Sequence, residues 1–145
     1  MNRRIFNFAG LSLILVVILF AASCKKSTDP KYPQLIGKWL QSTSEDSIYL
    51  YVDNIGGTLY ITQMITRVSI PGGYMRYSRS NTSGLAAIDD NTCSFYLEID
   101  PAGADGPTYI DGTFNPTTLV LVGNFAYYPA GEPPRQNYPF TIQRP

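Results

Sequence analysis

Ser47-Ile48-Tyr49-Leu50-Tyr51-Val52-Asp53-Asn54-Ile55-Gly56-Gly57-Thr58-Leu59-Tyr60-Ile61-Thr62 decides the fold class. Ile48, Leu50 and Val52 fall on one side of an extended chain, with Tyr49 and Tyr51 on the other. That period of two marks a half-buried strand. Asn54-Ile55-Gly56-Gly57 is a turn, because Asn and Gly accept the backbone angles that a reversal needs. Thr58 to Ile70 is long for one strand. Leu59, Ile61 and Ile65 share one face of it, while Met64, Val68 and Ile70 share the other. This exchange predicts a bulge or bend near Gln63 to Thr66.

Working outward, the same grammar repeats. Ile36 to Thr43, Tyr74 to Ser80, Leu85 to Asp89, Thr92 to Ile99, Thr108 to Phe114, Leu119 to Tyr127 and Tyr138 to Arg144 all read as short strands. Asn81-Thr82-Ser83-Gly84, Asp90-Asn91 and Asn115-Pro116-Thr117-Thr118 separate them. Two longer loops, Asp100 to Pro107 and Pro129 to Gln136, are rich in Pro and in Gly or Asp. No segment downstream of the first two dozen residues has capped helical periodicity. The expectation is an all-β, antiparallel meander of about eight or nine strands. It would be closed as a small barrel or, alternatively, folded as a β-sandwich.

The chain starts differently. Asn2-Arg3-Arg4 is basic, Phe8 to Ala22 is apolar, and Ala21-Ala22-Ser23 is small. Together these make a secretory signal, too short to span a bilayer as a helix. Cys24 follows directly. The arrangement resembles the bacterial lipobox, with Ala21 in the place usually held by Leu, and the Ser23-Cys24-Lys25-Lys26 ending resembles lipoproteins of the Bacteroidetes group. The resemblance implies cleavage after Ser23, lipidation of Cys24 and attachment to the membrane through that lipid. Lys25 is not the Asp of an inner-membrane retention signal, so the outer membrane of a bacterial cell envelope is favoured, on either its periplasmic or its surface face. The expected organisation is a signal peptide over 1–23, a lipidated flexible tether over 24–34 and one β-domain over 35–145.

Leu35-Ile36-Gly37-Lys38-Trp39 opens that domain. It resembles the Gly-x-Trp motif on the first strand of lipocalins and of shorter lipocalin-like domains in Bacteroidetes lipoproteins. The resemblance implies a barrel whose closed end is plugged by Trp39, with Arg144 packed over the indole. It also implies a binding domain for a small apolar or glycan ligand. Two departures stand beside it: the chain has no Thr-Asp-Tyr motif and no flanking helix.

Composition narrows the chemistry. The chain has 11 basic and 11 acidic residues. From Leu35 onward, 6 basic residues face 10 acidic ones, and such a mildly acidic domain argues against a nucleic-acid partner. There is no histidine, which removes Ser-His and Cys-His nucleophiles and His-ligated metals. Glu45-Asp46 and Asp89-Asp90 sit in turns. Asp100 to Asp105 reads as a turn rather than a calcium loop. Cys93 is the one cysteine left once Cys24 carries lipid, and reads as a small buried hydrophobe. No cofactor, metal ligand set or catalytic residue is expected. Tyr49, Tyr51 and Tyr60 are the candidate ligand-binding residues, since aromatic rings with hydroxyl tips suit sugars or a protein partner. The chain thus reads as a binding module for a small molecule or glycan. The alternative is a protein-interaction or hydrolase-inhibitor module of the envelope.

Overall fold

The computed structural model describes residues 28–70, 73–100, 107–127 and 136–144. The signal peptide, Cys24, Asp105 and most of the Pro129–Gln136 loop lie outside the described residues. Nine strands follow in order: β1 (Gly37–Ser42), β2 (Ser47–Ile55), β3 (Thr58–Ile70), β4 (Gly73–Ser80), β5 (Ala86–Ala87), β6 (Ser94–Asp100), β7 (Thr108–Asn115), β8 (Val120–Tyr127) and β9 (Gln136–Gln143). They make two antiparallel sheets. The first runs β1-β2-β3-β4 with β5 also pairing β3, and the second runs β6-β7-β8-β9.

The alternation that identified the strands also builds the core. Ile48, Leu50, Val52, Leu59, Ile61, Met64 and Val68 point inward from the first sheet. Phe95, Leu97, Ile110, Phe114, Leu121, Phe125, Phe140 and Ile142 meet them from the second. Gly112 and Gly123 face each other across β7 and β8. A Cβ on Gly112 would lie 3.0 Å from the Phe95 ring, and one on Gly123 would collide with the Phe140 ring and the Asp111 carbonyl. The two glycines make room for both rings.

The bulge in β3 falls at Thr62. Tyr51 opposes Gln63 but Val52 opposes Ile61, so Thr62 is the extra residue. It lies one position ahead of the expected window. Here β3 also changes partner, from β5 at Tyr60–Ile61 to β4 at Gln63–Ile70. Beyond the bulge Met64 and Val68 point inward, but one pair runs against hydropathy: Ile65 is 42% exposed while Thr66 is fully buried. The Thr66 hydroxyl has no hydrogen-bond partner.

The sheets do not close into the small barrel expected from the lipocalin-like resemblance; the architecture is the alternative, a β-sandwich. The edges β1 and β9 approach each other, but side chains bridge them instead of a backbone ladder. Gln41 Oε1 accepts from the Thr141 N–H at 3.2 Å, and the Tyr138 hydroxyl donates to Asp46 Oδ2 at 2.8 Å. Pro139 sits in β9, an edge strand, where a missing N–H is tolerated.

The flexible tether expected over 24–34 is described from Thr28 onward, and Cys24 to Ser27 lie outside the described residues. From Thr28 on, the segment is laid across one end of the sandwich. Asn54 donates to the Thr28 carbonyl at 2.9 Å, Lys31 to the Asp90 carbonyl at 2.8 Å and Gln34 to the Pro116 carbonyl at 3.3 Å. A 3₁₀ turn, Pro33–Leu35, then drives Leu35 fully into the core. Polar side chains anchoring backbone carbonyls hold a segment that has no apolar period of its own.

Candidate binding faces

Trp39 closes this same end. Its indole N–H donates to the Leu35 carbonyl at 2.9 Å, and its ring meets Phe114 edge-on at 4.8 Å. The Arg144 guanidinium lies 5.2 Å from the Trp39 ring centre and donates from Nη1 to the Gln34 and Ile36 carbonyls, each at 3.0 Å. Gly37, with φ +116°, passes beneath it, and a Cβ there would sit 3.4 Å from Arg144 Nη2. Trp39 and Arg144 are therefore packed together as the sequence places them. Their neighbourhood is filled rather than hollow. An open groove of about 600 Å³ lies beside it, lined by Tyr32, Cys93, Phe114, Asn115, Pro116 and Val122 among others.

The three candidate tyrosines share one surface. Since Ile48, Leu50, Val52, Leu59 and Ile61 point inward, Tyr49, Tyr51 and Tyr60 point outward from the first sheet. They are not equally available. Tyr60 packs its ring onto Gly84, where φ is +94° and any Cβ would run into the ring. Tyr49 donates to Gln63 Oε1 at 3.4 Å, and Lys38 Nζ lies 5.7 Å from its ring centre. All three are half-buried.

The most exposed apolar groups on this face are ones that sequence reasoning passed over. Leu40, Tyr49 and Ile65 stand directly opposite one another across β1, β2 and β3. Leu40 is 43% and Ile65 42% exposed, and Tyr74 is more exposed still. Arg67 lies 3.9 Å over the Tyr74 ring. The available signal was Leu40 itself, an apolar residue one step out of phase with Trp39. Ile65 gave none, because only the bulge turns it outward.

The outward face of the second sheet differs in sign. Tyr96 and Tyr109 pack at 4.9 Å, Asp111 stands opposite Tyr96, and Glu98 stands opposite Tyr109. Burial pushes the Asp111 carboxyl above its usual range. Val122 is the most exposed apolar group here. Neither Lys nor Arg points out from this sheet among the described residues.

Two further acids, Asp46 and Asp89, serve the fold. Asp46 accepts from the Ser69 N–H at 2.6 Å and from Tyr138, whose phenol is pushed up to about 12 by burial and the adjacent Asp46 carboxylate. Asp89 Oδ1 accepts from the Asn91 and Thr92 N–H groups and the Thr92 hydroxyl, which hold its carboxyl below the usual range. Cys93 is buried just before β6 with φ +55°. Among the described residues no group of His, Cys, Asp or Glu could hold a metal ion.

No family model, curated protein or solved structure matches this chain. The lipocalin-like resemblance rests on the chain's own residues.

Proposed function

We propose that this chain is a lipid-anchored envelope lipoprotein whose β-domain is an interaction module, docking a protein through an outward sheet face. The anchor reading rests on Arg3-Arg4, the apolar run to Ala22 and Cys24. One observation carries the docking reading. The space between the sheets is filled by Trp39, Phe114, Phe125, Met64 and their neighbours, while the free apolar surface is on the outside, centred on Leu40, Tyr49 and Ile65. A module that encloses a ligand needs the reverse: an apolar cavity with few exposed apolar groups.

A glycan held on Tyr49 and Tyr51 is the second reading. It is favoured by their shared face and by the polar tips of Lys38 and Gln63 beside them.

Three measurements separate these. A Cys24→Ala variant should leave the membrane fraction, and its retention there would refute the anchor. Native mass spectrometry of the purified full chain should show only the cleaved chain with its covalent lipid; a further, non-covalent copurifying molecule of constant mass would overturn the docking reading. Glycan-array binding lost in Tyr51→Ala but kept in Leu40→Ser would establish the second reading instead.

A further inference from the structure

Five large apolar side chains are conspicuously exposed among the described residues, and all five lie on the two outward faces. Leu40, Ile65 and Tyr74 are on the first sheet; Tyr96 and Val122 are on the second. The faces carry opposite charge. Lys38, Arg67 and Arg76 point out from the first sheet, against Asp53 alone. Glu98 and Asp111 point out from the second, against no base among the described residues. None of these five unopposed charges makes an ion pair with another described residue. A sandwich with one basic and one acidic aromatic surface, back to back, is complementary to itself in one arrangement only, front to back.

We propose that the first-sheet face of one copy docks on the second-sheet face of the next, so that the protein forms open rows of identical subunits. This rests on the interaction-module reading and names the partner as a second copy of this chain. Such a contact joins two different surfaces. A repeat by translation leaves a free face at each end and does not stop at a dimer.

The docked N-terminal segment sets the direction of the row. Thr28 is held at the end of the sandwich that carries the Asn54, Asp90 and Pro116 turns. It lies four positions after Cys24, a reach of at most roughly 14 Å. With Cys24 in the lipid, that end faces the bilayer, the strands stand away from it, and both outward faces look sideways. Rows then lie in the plane of the membrane with every anchor on the same side. Each contact is small and partly charged, so it is weak alone. Confinement to a surface raises the effective concentration and compensates.

The test uses the full chain expressed in bacterial cells. Ser78→Cys places a thiol on the first-sheet face and Thr113→Cys one on the second; both positions are exposed, whereas native Cys93 is buried. After treatment with a short bismaleimide, the double variant should give a ladder of dimer, trimer and higher species. Each single variant should stay monomeric. Arg67→Glu with Arg76→Glu should cut the ladder roughly tenfold, and adding Glu98→Arg with Asp111→Arg should restore it. Monomer throughout would overturn the proposal. So would a dimer from either single variant, which would mean a two-fold contact, or a cross-link from these faces to a different protein. That last result would keep the interaction-module reading. Fractionation of the same cells reports the anchor separately.

Discussion

Replacing Arg144 with Met tests how the two ends of the domain are joined. The substitution keeps the unbranched stem and removes the guanidinium. Two donated hydrogen bonds are lost, to the Gln34 and Ile36 carbonyls at 3.0 Å each, together with the contact over Trp39 at 5.2 Å. Hydrogen bonds to a charged group are worth about 1.5–3 kcal/mol when well buried. The bond to Gln34 is exposed, so we take about 0.5 kcal/mol for it and about 1.5 kcal/mol for the half-buried one to Ile36. The cation–π contact adds about 0.5–1 kcal/mol. Side-chain entropy regained by the freed residue offsets about 1 kcal/mol. The net expectation is a loss of about 1.5–2 kcal/mol, read as a lower urea midpoint at unchanged slope. Arg144→Lys should recover part of it, since an ammonium reaches one carbonyl and lacks the planar fork. The loss should be concentrated locally: trypsin should cut after Lys31 faster in Arg144→Met than the change in global stability explains. A urea midpoint shift worth under about 0.5 kcal/mol, with unchanged cleavage at Lys31, would refute the reasoning.

Four further outcomes are expected. Trp39→Ala, which empties a fully buried site and orphans the Leu35 carbonyl, should cost about 3–5 kcal/mol in equilibrium unfolding. Thr66→Val keeps the shape but removes a buried hydroxyl without a partner, so urea denaturation should show a gain of about 1 kcal/mol. Gly123→Ala should cost about 1–3 kcal/mol through the clash with Phe140 and the Asp111 carbonyl, read as a fall in Tm. The Tyr138 phenol, raised to about 12 in the folded protein against about 10 when unfolded, binds its proton more tightly in the native state. Its contribution is complete below about pH 10 and fades as pH rises through about 12, so Tyr138→Phe should flatten the alkaline limb of a stability–pH profile.

The strands were legible because alternation survives in single segments: Ile48-Leu50-Val52 and Phe95-Leu97-Ile99 point inward as their spacing demands. The turns at Asn54–Gly57 and Asn115–Thr118 were legible through their Asn and Gly or Pro residues. Closure was not. Barrel and sandwich share the same strand pattern, and the difference lies at the β1–β9 edge, where Gln41, Thr141, Asp46 and Tyr138 bridge over about a hundred positions of chain. The docked segment from Thr28 was hidden for a similar reason, since each of its links joins a side chain to a distant backbone carbonyl, which carries no sequence signature. On the candidate surface, the tyrosines were visible by alternation, but Ile65 was assigned to the face of Leu59 and Ile61. The bulge at Thr62 comes before Ile65 and turns it outward, while Met64 and Val68 fall on the inner face. The acidic face of the second sheet escaped notice because Tyr96, Tyr109, Glu98 and Asp111 come together only through the β6–β7 register.

The long-range stitches have a consequence for the order of assembly. Nearly every ladder in both sheets joins strands that follow one another along the chain, so each meander can zip locally as it emerges. The segment at Gln34 and Ile36 waits for Arg144, 110 and 108 positions later. In a chain delivered N-terminus first, the stretch ahead of β1 stays unpinned until β9 arrives. A copy that stops short would leave the segment at Gln34 and Ile36 without its Arg144 partner. The seating of Arg144 thus reports completion of the polypeptide.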